Sequence, residues 1–205
     1  MKTLRFYPTS INQRYLEDVT QALERGEIVL CPTDSVYALV CDATNQQAIE
    51  RLCAFKGLNP AKQSLSILCS DLSQASRYAR IDNKAFRLLR DNTPGPVTFI
   101  LPAATTLPKA FKGRKTVGVR IPDNAVTIAI AEALGRPLLT TSAVTPDEDG
   151  VVPVMAEEVL SLYEKSDVAV MINAGETSGT LSAVVDITDS SSPELIRSGA
   201  VELNL

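Results

Sequence analysis

Three polar segments of this 205-residue chain carry the side chains best suited to chemistry. Pro32-Thr33-Asp34-Ser35 and Thr140-Thr141-Ser142 each come at the end of an apolar run, and residues 56–62 follow a helical pattern. Ligands of open α/β sheets bind beyond the carboxyl ends of the strands, so we expect these segments to form a site. Their hydroxyl groups and cations suit an anionic substrate, because phosphoryl and nucleotidyl transfer depend mainly on positioning and charge stabilisation.

The candidate ligand-binding residues are the cations and hydroxyls that fall in loops or at strand ends: Lys56, Lys62, Arg120, Arg197, Thr33 and Ser142. For any single one of these cations, the alternative interpretation is a solvated surface charge that binds no ligand. Asp34 and Asp42 are isolated in the sequence, and neither an acid–base pair nor a metal site is predicted.

Several common kinds of site are excluded by what the sequence lacks. The chain has no histidine, which excludes Ser-His-Asp and Cys-His nucleophiles and imidazole acid–base catalysis. It has neither a GxGxxG nor a GxxxxGK[ST] motif, so the glycine-rich dinucleotide and P-loop sites are excluded too.

A second basic cluster precedes Arg120 and consists of Lys109, Lys112, Arg114 and Lys115. No acidic residue interrupts it, and such a run can track a phosphate backbone. Phe111 is the only aromatic residue within it, so base stacking is not indicated. The alternative is an ordinary solvated loop.

The net charge of −4 conceals a strong asymmetry along the chain. Residues 51–120 hold 13 basic and 3 acidic side chains, whereas residues 121–205 hold 3 basic and 14 acidic ones. Asymmetry of this kind indicates an anionic partner. The alternative is that the basic middle segment pairs with the acidic C-terminal segment across the fold.

The remaining composition indicates a cytoplasmic chain that does not enter a membrane. Cys31, Cys41, Cys53 and Cys69 form no CxxC pair and lie in apolar or mixed runs, which predicts four buried, reduced thiols without a disulfide partner. No leader sequence and no apolar run of about 20 residues are seen.

Strand-like and helix-like patterns alternate along the sequence. Apolar runs predict strands at residues 27–31, 65–68, 97–101, 117–121, 137–140, 168–172 and 184–187. Helical spacing falls at residues 11–25, 44–53, 71–79, 83–91, 125–134 and 156–164, with Thr44 to Gln47 as a capping box. Nearly continuous apolar strands predict a mainly parallel or mixed sheet that is covered on both faces, with residues 97–101 and 117–121 as an antiparallel pair. We expect one α/β domain over residues 1–205.

Four stretches resemble the YrdC/YciO family, which is related to threonylcarbamoyl-AMP synthase. They are Pro32-Thr33-Asp34-Ser35-Val36-Tyr37-Ala38-Leu39, Thr93-Pro94-Gly95-Pro96-Val97-Thr98-Phe99-Ile100-Leu101, Val117-Gly118-Val119-Arg120-Ile121-Pro122 and Ile196-Arg197-Ser198-Gly199. The resemblance implies a twisted, open mixed sheet flanked by helices, with a concave basic face. It implies roles in catalysis for Lys56, Arg120 and Ser142, and in nucleotide or substrate binding for Thr33, Lys62, Ser182 and Arg197.

The family's synthases condense L-threonine, bicarbonate and ATP to threonylcarbamoyl-AMP, which serves threonylcarbamoyladenosine formation in tRNA. Their Lys-x-Arg and Ser-x-Asn motifs are incomplete here, because Leu58 and Val144 replace the arginine and the asparagine. We therefore expect a YciO-type protein that is linked to threonylcarbamoyladenosine modification of tRNA and has no tightly bound cofactor. Its concave cationic site is expected to bind a nucleotide such as ATP or AMP, or tRNA or double-stranded RNA, or both. One alternative is an active synthase that uses L-threonine and Mg²⁺ with ATP, and a second is a non-catalytic small-molecule sensor.

Overall fold

The computed structural model describes residues 1–59, 65–104 and 115–205. Within these residues, ten strands form a single sheet and six helices pack against it. The strands are β1 (Lys2–Arg5), β2 (Ile28–Cys31), β3 (Ala38–Asp42), β4 (Ser66–Leu68), β5 (Val97–Pro102), β6 (Thr116–Arg120), β7 (Leu138–Ser142), β8 (Val168–Asn173), β9 (Ala183–Asp186) and β10 (Glu194–Arg197). The helices are α1 (Gln13–Glu24), α2 (Gln46–Phe55), α3 (Leu72–Ala75), α4 (Asn83–Asn92), α5 (Ala125–Leu134) and α6 (Ala156–Tyr163).

The sheet is mixed, as the apolar runs predict. Its strand order is β1-β8-β2-β3-β7-β4-β6-β5-β9-β10. β1 and β2 pair with β8 in parallel, and β4 and β9 pair in parallel with β6 and β5. The remaining five pairings are antiparallel, including the predicted pair of β5 with β6. A mixed α/β fold with one large sheet is therefore confirmed.

Three strands were not predicted from the sequence pattern. β1 and β10 lie at the two edges of the sheet and are mostly exposed, so neither shows an apolar run. β3 follows β2 after a loop of six residues without an intervening helix, and forms an antiparallel pair with it. The capping box at the start of α2 is also shifted, because Asn45 rather than Thr44 is the N-cap and accepts from the backbone N–H groups of Gln47 and Ala48.

Helices cover one face of the sheet only in part. α1 and α5 pack over the side formed by β1, β8, β2, β3 and β7, where the core includes Leu4, Val29, Val40 and Leu138. The N-cap Asn124 starts α5, and Gly135 ends it with a φ of +68°, a left-handed conformation that glycine adopts without a Cβ penalty. Beyond these helices the same face of β7, β4, β6, β5 and β9 carries polar side chains and lines a cavity.

The opposite face of the sheet is closed by apolar packing. Phe99 of β5 and Val119 of β6 pack there with Leu89 of α4 and Leu52 of α2. Since successive residues of a strand point to opposite faces, Thr98 and Arg120 are directed to the cavity while Phe99 and Val119 enter the core. All four cysteines are buried, as predicted, and no disulfide joins them. Among the described residues, no helix is long and apolar enough to cross a membrane.

Candidate functional site

A cavity of about 380 Å³ lies on the part of the sheet that α1 and α5 leave uncovered. Its described lining is rich in hydroxyl groups, contributed by the nine residues Thr33, Ser35, Ser66, Thr98, Thr140, Thr141, Ser142, Thr145 and Ser182. Two of the three expected segments contribute to it, residues 32–35 and 140–142, while Ser66 and Thr98 add side chains from within strands. Ser66 of β4 lies opposite Thr140 of β7 on one side and Gly118 of β6 on the other.

Gly118 has no side chain, and this leaves space for Ser66 and Thr98 at the floor of the cavity. A Cβ atom at this position would collide with Ser66 Oγ and would come within 3.1 Å of Thr98 Cγ2. Both neighbours line the cavity. A larger residue at position 118 would therefore force them to move, and the close approach of three strands favours glycine here.

Arg120, at the end of β6, is the buried cation of the cavity. Its Nη2 donates to Asp34 Oδ1, and also to Ser35 Oγ at 2.9 Å. Both charged side chains are only 9% exposed. Burial lowers the pKa of the Arg120 guanidinium, while the charge and hydrogen bond of Asp34 oppose that shift. Arg120 Nε is buried without a hydrogen-bond partner.

The loop between β2 and β3 is held by its own hydroxyl groups. Thr33 Oγ1 donates to the Val36 carbonyl oxygen at 2.7 Å and accepts from the Ser35 backbone N–H at 3.1 Å. The segment before β9 crosses this loop, because Ser178 Oγ and the Gly179 backbone N–H both donate to the Ser35 carbonyl oxygen, at 2.9 and 3.0 Å. Thr33 therefore lines a wall whose shape is fixed by internal contacts.

Arg197 is the second cation of the described lining and comes from the edge strand β10. Its Nε and Nη2 donate to the Ser182 carbonyl oxygen at 3.0 and 2.8 Å, and Nη2 also contacts Ser182 Oγ at 3.3 Å. These bonds fix one side of the guanidinium while the residue as a whole remains exposed. The structure thus brings Thr33, Arg120, Ser182 and Arg197 into one cavity.

Ser142, at the end of β7, also lines the cavity, and its hydroxyl donates to the Val144 carbonyl oxygen at 2.5 Å. Val144 itself is 4% exposed and belongs to the same lining. An aliphatic side chain thus occupies a cavity position for which the synthase pattern predicts an amide. Leu58, the other departure, is half-buried and packs against the core.

The remaining predicted cations are placed elsewhere or lie outside the described residues. Lys56 is the C-cap of α2 and is not among the described residues that line the cavity; partial burial lowers the pKa of its amine. Lys62, Lys109, Lys112 and Arg114 lie outside the described residues. Lys115 is exposed just before β6. Its backbone carbonyl accepts from the Ala103 N–H, and RNA binding by this segment stays a prediction.

Two kinds of site residue were missed from the sequence. Asp34 was judged isolated, but it forms the ion pair with Arg120, 86 residues further along the chain. Ser66 and Thr98 are single polar residues within apolar strands, and the alternation of side chains in a strand is the signal that could have found them. In the described part of the chain, no group of three or more acidic or cysteine side chains is placed to hold a metal ion.

The comparison with protein families gives this cavity a context. A family model named Sua5_yciO_yrdC, described as "Telomere recombination", matches residues 21–199. The chain belongs to the Sua5/YciO/YrdC family. Its sequence is 36% identical to "Uncharacterized protein YciO" of Escherichia coli over 195 residues, which cover 94% of this chain and 93% of that protein. It is also 29% identical to the threonylcarbamoyl-AMP synthase of Vibrio parahaemolyticus, over 89% of this chain and 98% of the synthase.

Solved structures of the Sua5/YciO/YrdC family share the fold. The crystal structure of E. coli YciO superposes with a TM-score of 0.88 at 34% identity, covering 98% of both chains. The crystal structure of P. abyssi Sua5 complexed with L-threonine gives a TM-score of 0.83 at 29% identity, covering 97% of this chain and 57% of that one. The family assignment made from the four stretches is confirmed, and so is the similarity to YciO.

Proposed function

We propose that the cavity binds a nucleotide, with Arg120 and Arg197 facing its phosphate groups and the hydroxyl-lined floor facing its sugar and base. The observation that carries this proposal is the joint presence of two guanidinium groups and nine hydroxyl groups in one cavity. Guanidinium groups match phosphate oxygens in charge and geometry, and hydroxyl groups both donate and accept hydrogen bonds. The described lining contains no acidic residue that would repel the phosphates.

The size of the cavity is compatible with such a ligand. Its volume of about 380 Å³ lies within the range of roughly 300–1,000 Å³ that is usual for small-molecule sites. The names of the relatives support the same ligand class, because the product of a threonylcarbamoyl-AMP synthase contains AMP and the P. abyssi Sua5 structure holds L-threonine. We extend the proposal to L-threonine as a second ligand and to a role linked to threonylcarbamoyladenosine in tRNA.

Slow synthase chemistry is part of the proposal. Val144 cannot donate or accept through its side chain, and Leu58 carries no charge. The loss of a hydrogen bond to a charged ligand costs about 1.5–3 kcal/mol, or about one to two orders of magnitude in rate. Val144 lines the cavity, whereas Leu58 is not among its described lining residues, so one of the two losses falls within the site. We expect that loss to remove most of the turnover, while the two arginines and the hydroxyl groups retain nucleotide binding.

Calorimetric titration of AMP and ATP into the purified protein tests the binding. We expect saturable binding that Arg197→Gln weakens by at least about tenfold, the effect of losing about 1.4 kcal/mol. Arg87→Gln is the matched control, because Arg87 is also exposed and also donates from Nε to a backbone carbonyl, that of Asn83 at 3.2 Å. No saturable binding, or an equal loss in both variants, would contradict the proposal.

A turnover assay separates the proposal from its enzymatic alternative. Protein incubated with L-threonine, bicarbonate, ATP and Mg²⁺ should release little pyrophosphate. Release at the rate of a genuine synthase measured alongside would establish the synthase alternative. If AMP, ATP and L-threonine all fail to bind, the remaining alternative is a sensor for another small molecule.

A further inference from the structure

Asp34 lies directly behind Arg120 and outside the lining of the cavity. Its Oδ1 accepts from Arg120 Nη2, while its Oδ2 accepts from the Asp123 backbone N–H at 3.0 Å. The side chain is only 9% exposed, and Asp34 is not among the described residues that line the cavity. A ligand in the cavity can therefore contact Arg120 directly, whereas the Asp34 carboxylate contacts Arg120 and does not face the ligand.

The contacts of Asp34 hold its charge in place. One carboxylate oxygen is bound to the end of β6 and the other to the start of the segment that leads into α5. The Asp34 carbonyl oxygen accepts from Ser178 Oγ at 3.2 Å, which ties the residue to a third segment. The carboxylate is thus a fixed negative charge that cannot swing away when an anion arrives.

The charge of Asp34 matters because the two cations of the described lining act on each other. Both arginines line the same cavity, and the positive charge of Arg197 adds to burial, the main cause, in lowering the pKa of the Arg120 guanidinium. The charge of Arg120 is buried and therefore weakly screened, whereas Arg197 is exposed to solvent. Together with Asp34, the two arginines give this part of the cavity one net positive charge instead of two.

From this arrangement we infer that Asp34 sets the charge selectivity of the cavity by offsetting the charge of Arg120. The inference rests on the proposed nucleotide binding. Asp34 acts as a positioning residue, since it orients the guanidinium of Arg120 and is not among the described residues that line the cavity. It reduces the advantage that a triphosphate gains from its additional negative charges, and so favours a ligand with a single phosphate group.

The substitution Asp34→Asn tests this inference, because it removes the charge and keeps the shape of the side chain. Dissociation constants for AMP and ATP are measured without Mg²⁺ for both proteins. We expect the preference for ATP over AMP to rise by about tenfold in the variant, since Coulomb interactions over about 10 Å remain substantial at an effective dielectric constant of about 20. The affinity for ATP should also fall more steeply with added salt.

A purely structural role would give a different result. If Asp34→Asn only misaligned the Arg120 guanidinium, the affinities for AMP and ATP would fall by the same factor. The ratio of the two dissociation constants would then be unchanged, which would overturn the inference. Asp34→Glu retains the charge and should keep the ratio of the native protein. Asp42→Asn is the matched control, because Asp42 is also buried and also ion-paired, with its Oδ2 3.3 Å from Arg136 Nε, and it does not line the cavity. It should lower stability without changing the ratio.

The possible failures can be told apart. If the native protein binds neither nucleotide, the proposed function fails; binding of ATP by Asp34→Asn alone would still support the role of Asp34, and binding by neither protein would overturn both. If the native protein binds and the ratio is unchanged in the variant, only the inference about Asp34 fails. Should Asp34→Asn not fold, Asp34→Ser removes the same charge, retains an oxygen acceptor and carries the same expectation.

Discussion

Gly118→Ala is the substitution that most directly tests the geometry of the cavity floor. The added Cβ would collide with Ser66 Oγ, and would lie 3.1 Å from both Ser66 Cβ and Thr98 Cγ2. Rotation of the serine hydroxyl relieves the first contact. The other two atoms belong to strands on either side of the site, and they must each move by a few tenths of an ångström.

The expected cost is that of overpacking a closely packed site. For one added methyl group we expect about 1–2 kcal/mol of lost stability, within the usual range of about 1–3 kcal/mol. For a chain of this length, that corresponds to a fall in Tm of about 2–8 °C. Ser66 and Thr98 both line the cavity, so AMP affinity should also fall, by about fivefold or about 1 kcal/mol.

Thermal unfolding followed by circular dichroism and calorimetric titration of AMP measure the two effects. The double variant Ser66→Gly with Gly118→Ala provides the rescue, because it removes both Ser66 atoms and leaves only the contact with Thr98 Cγ2. Its stability should exceed that expected if the two single changes added independently. A Gly118→Ala protein with unchanged Tm and unchanged AMP affinity would refute the reasoning.

Three further predictions concern the thiols, the two departures and the basic segment. Burial raises the pKa of the Cys31 thiol to about 12, so a thiol reagent at pH 8 should label none of the four buried cysteines until denaturant is added. The stability that the native state gains by holding the Cys31 thiol neutral is complete below the ordinary thiol pKa of about 8.5, and it is lost as the pH rises towards 12. Labelling of the native protein would contradict that burial. Leu58→Arg with Val144→Asn should raise pyrophosphate release by at least about tenfold, and no gain would show that the loss of synthase chemistry lies elsewhere. Lys112→Glu with Lys115→Glu should weaken tRNA binding and flatten its dependence on salt in filter-binding assays, whereas salt-independent binding or none at about 50 mM salt would remove the RNA prediction.

The sequence predicts the elements of this fold better than it predicts the site. Strands such as β8 are buried on both faces and show as apolar runs, which local composition reveals. β10 is fully exposed at the edge of the sheet, so its Leu195 and Ile196 give no pattern that distinguishes a strand from a loop. Burial, rather than strand propensity, is the property that the apolar runs report.

The site depends on which strands become neighbours, and that information is not local. Thr98 faces the cavity because β5 lies between β6 and β9, and an inverted register would have placed Phe99 there instead. The partner of Asp34 could not be predicted for the same reason, since Arg120 reaches it only once β4 has paired with β6. Arg120 and Arg197 could be named in advance, because both are cations at the ends of apolar runs or in loops and both also belong to stretches that resemble the family.

The strand order has a consequence for how the protein is made. β1 and β2 obtain their parallel partner only from β8, whose residues 168–173 are synthesised long after Cys31. During translation, β1 and β2 therefore lack their parallel partner until more than half of the polypeptide has been synthesised after them. Parallel pairing over such distances is slow, and exposed apolar strands are prone to aggregate while they wait. A ribosome stalled before residue 168 would hold a chain in which all six described helices are already encoded, while its two N-terminal strands still lack their parallel partner.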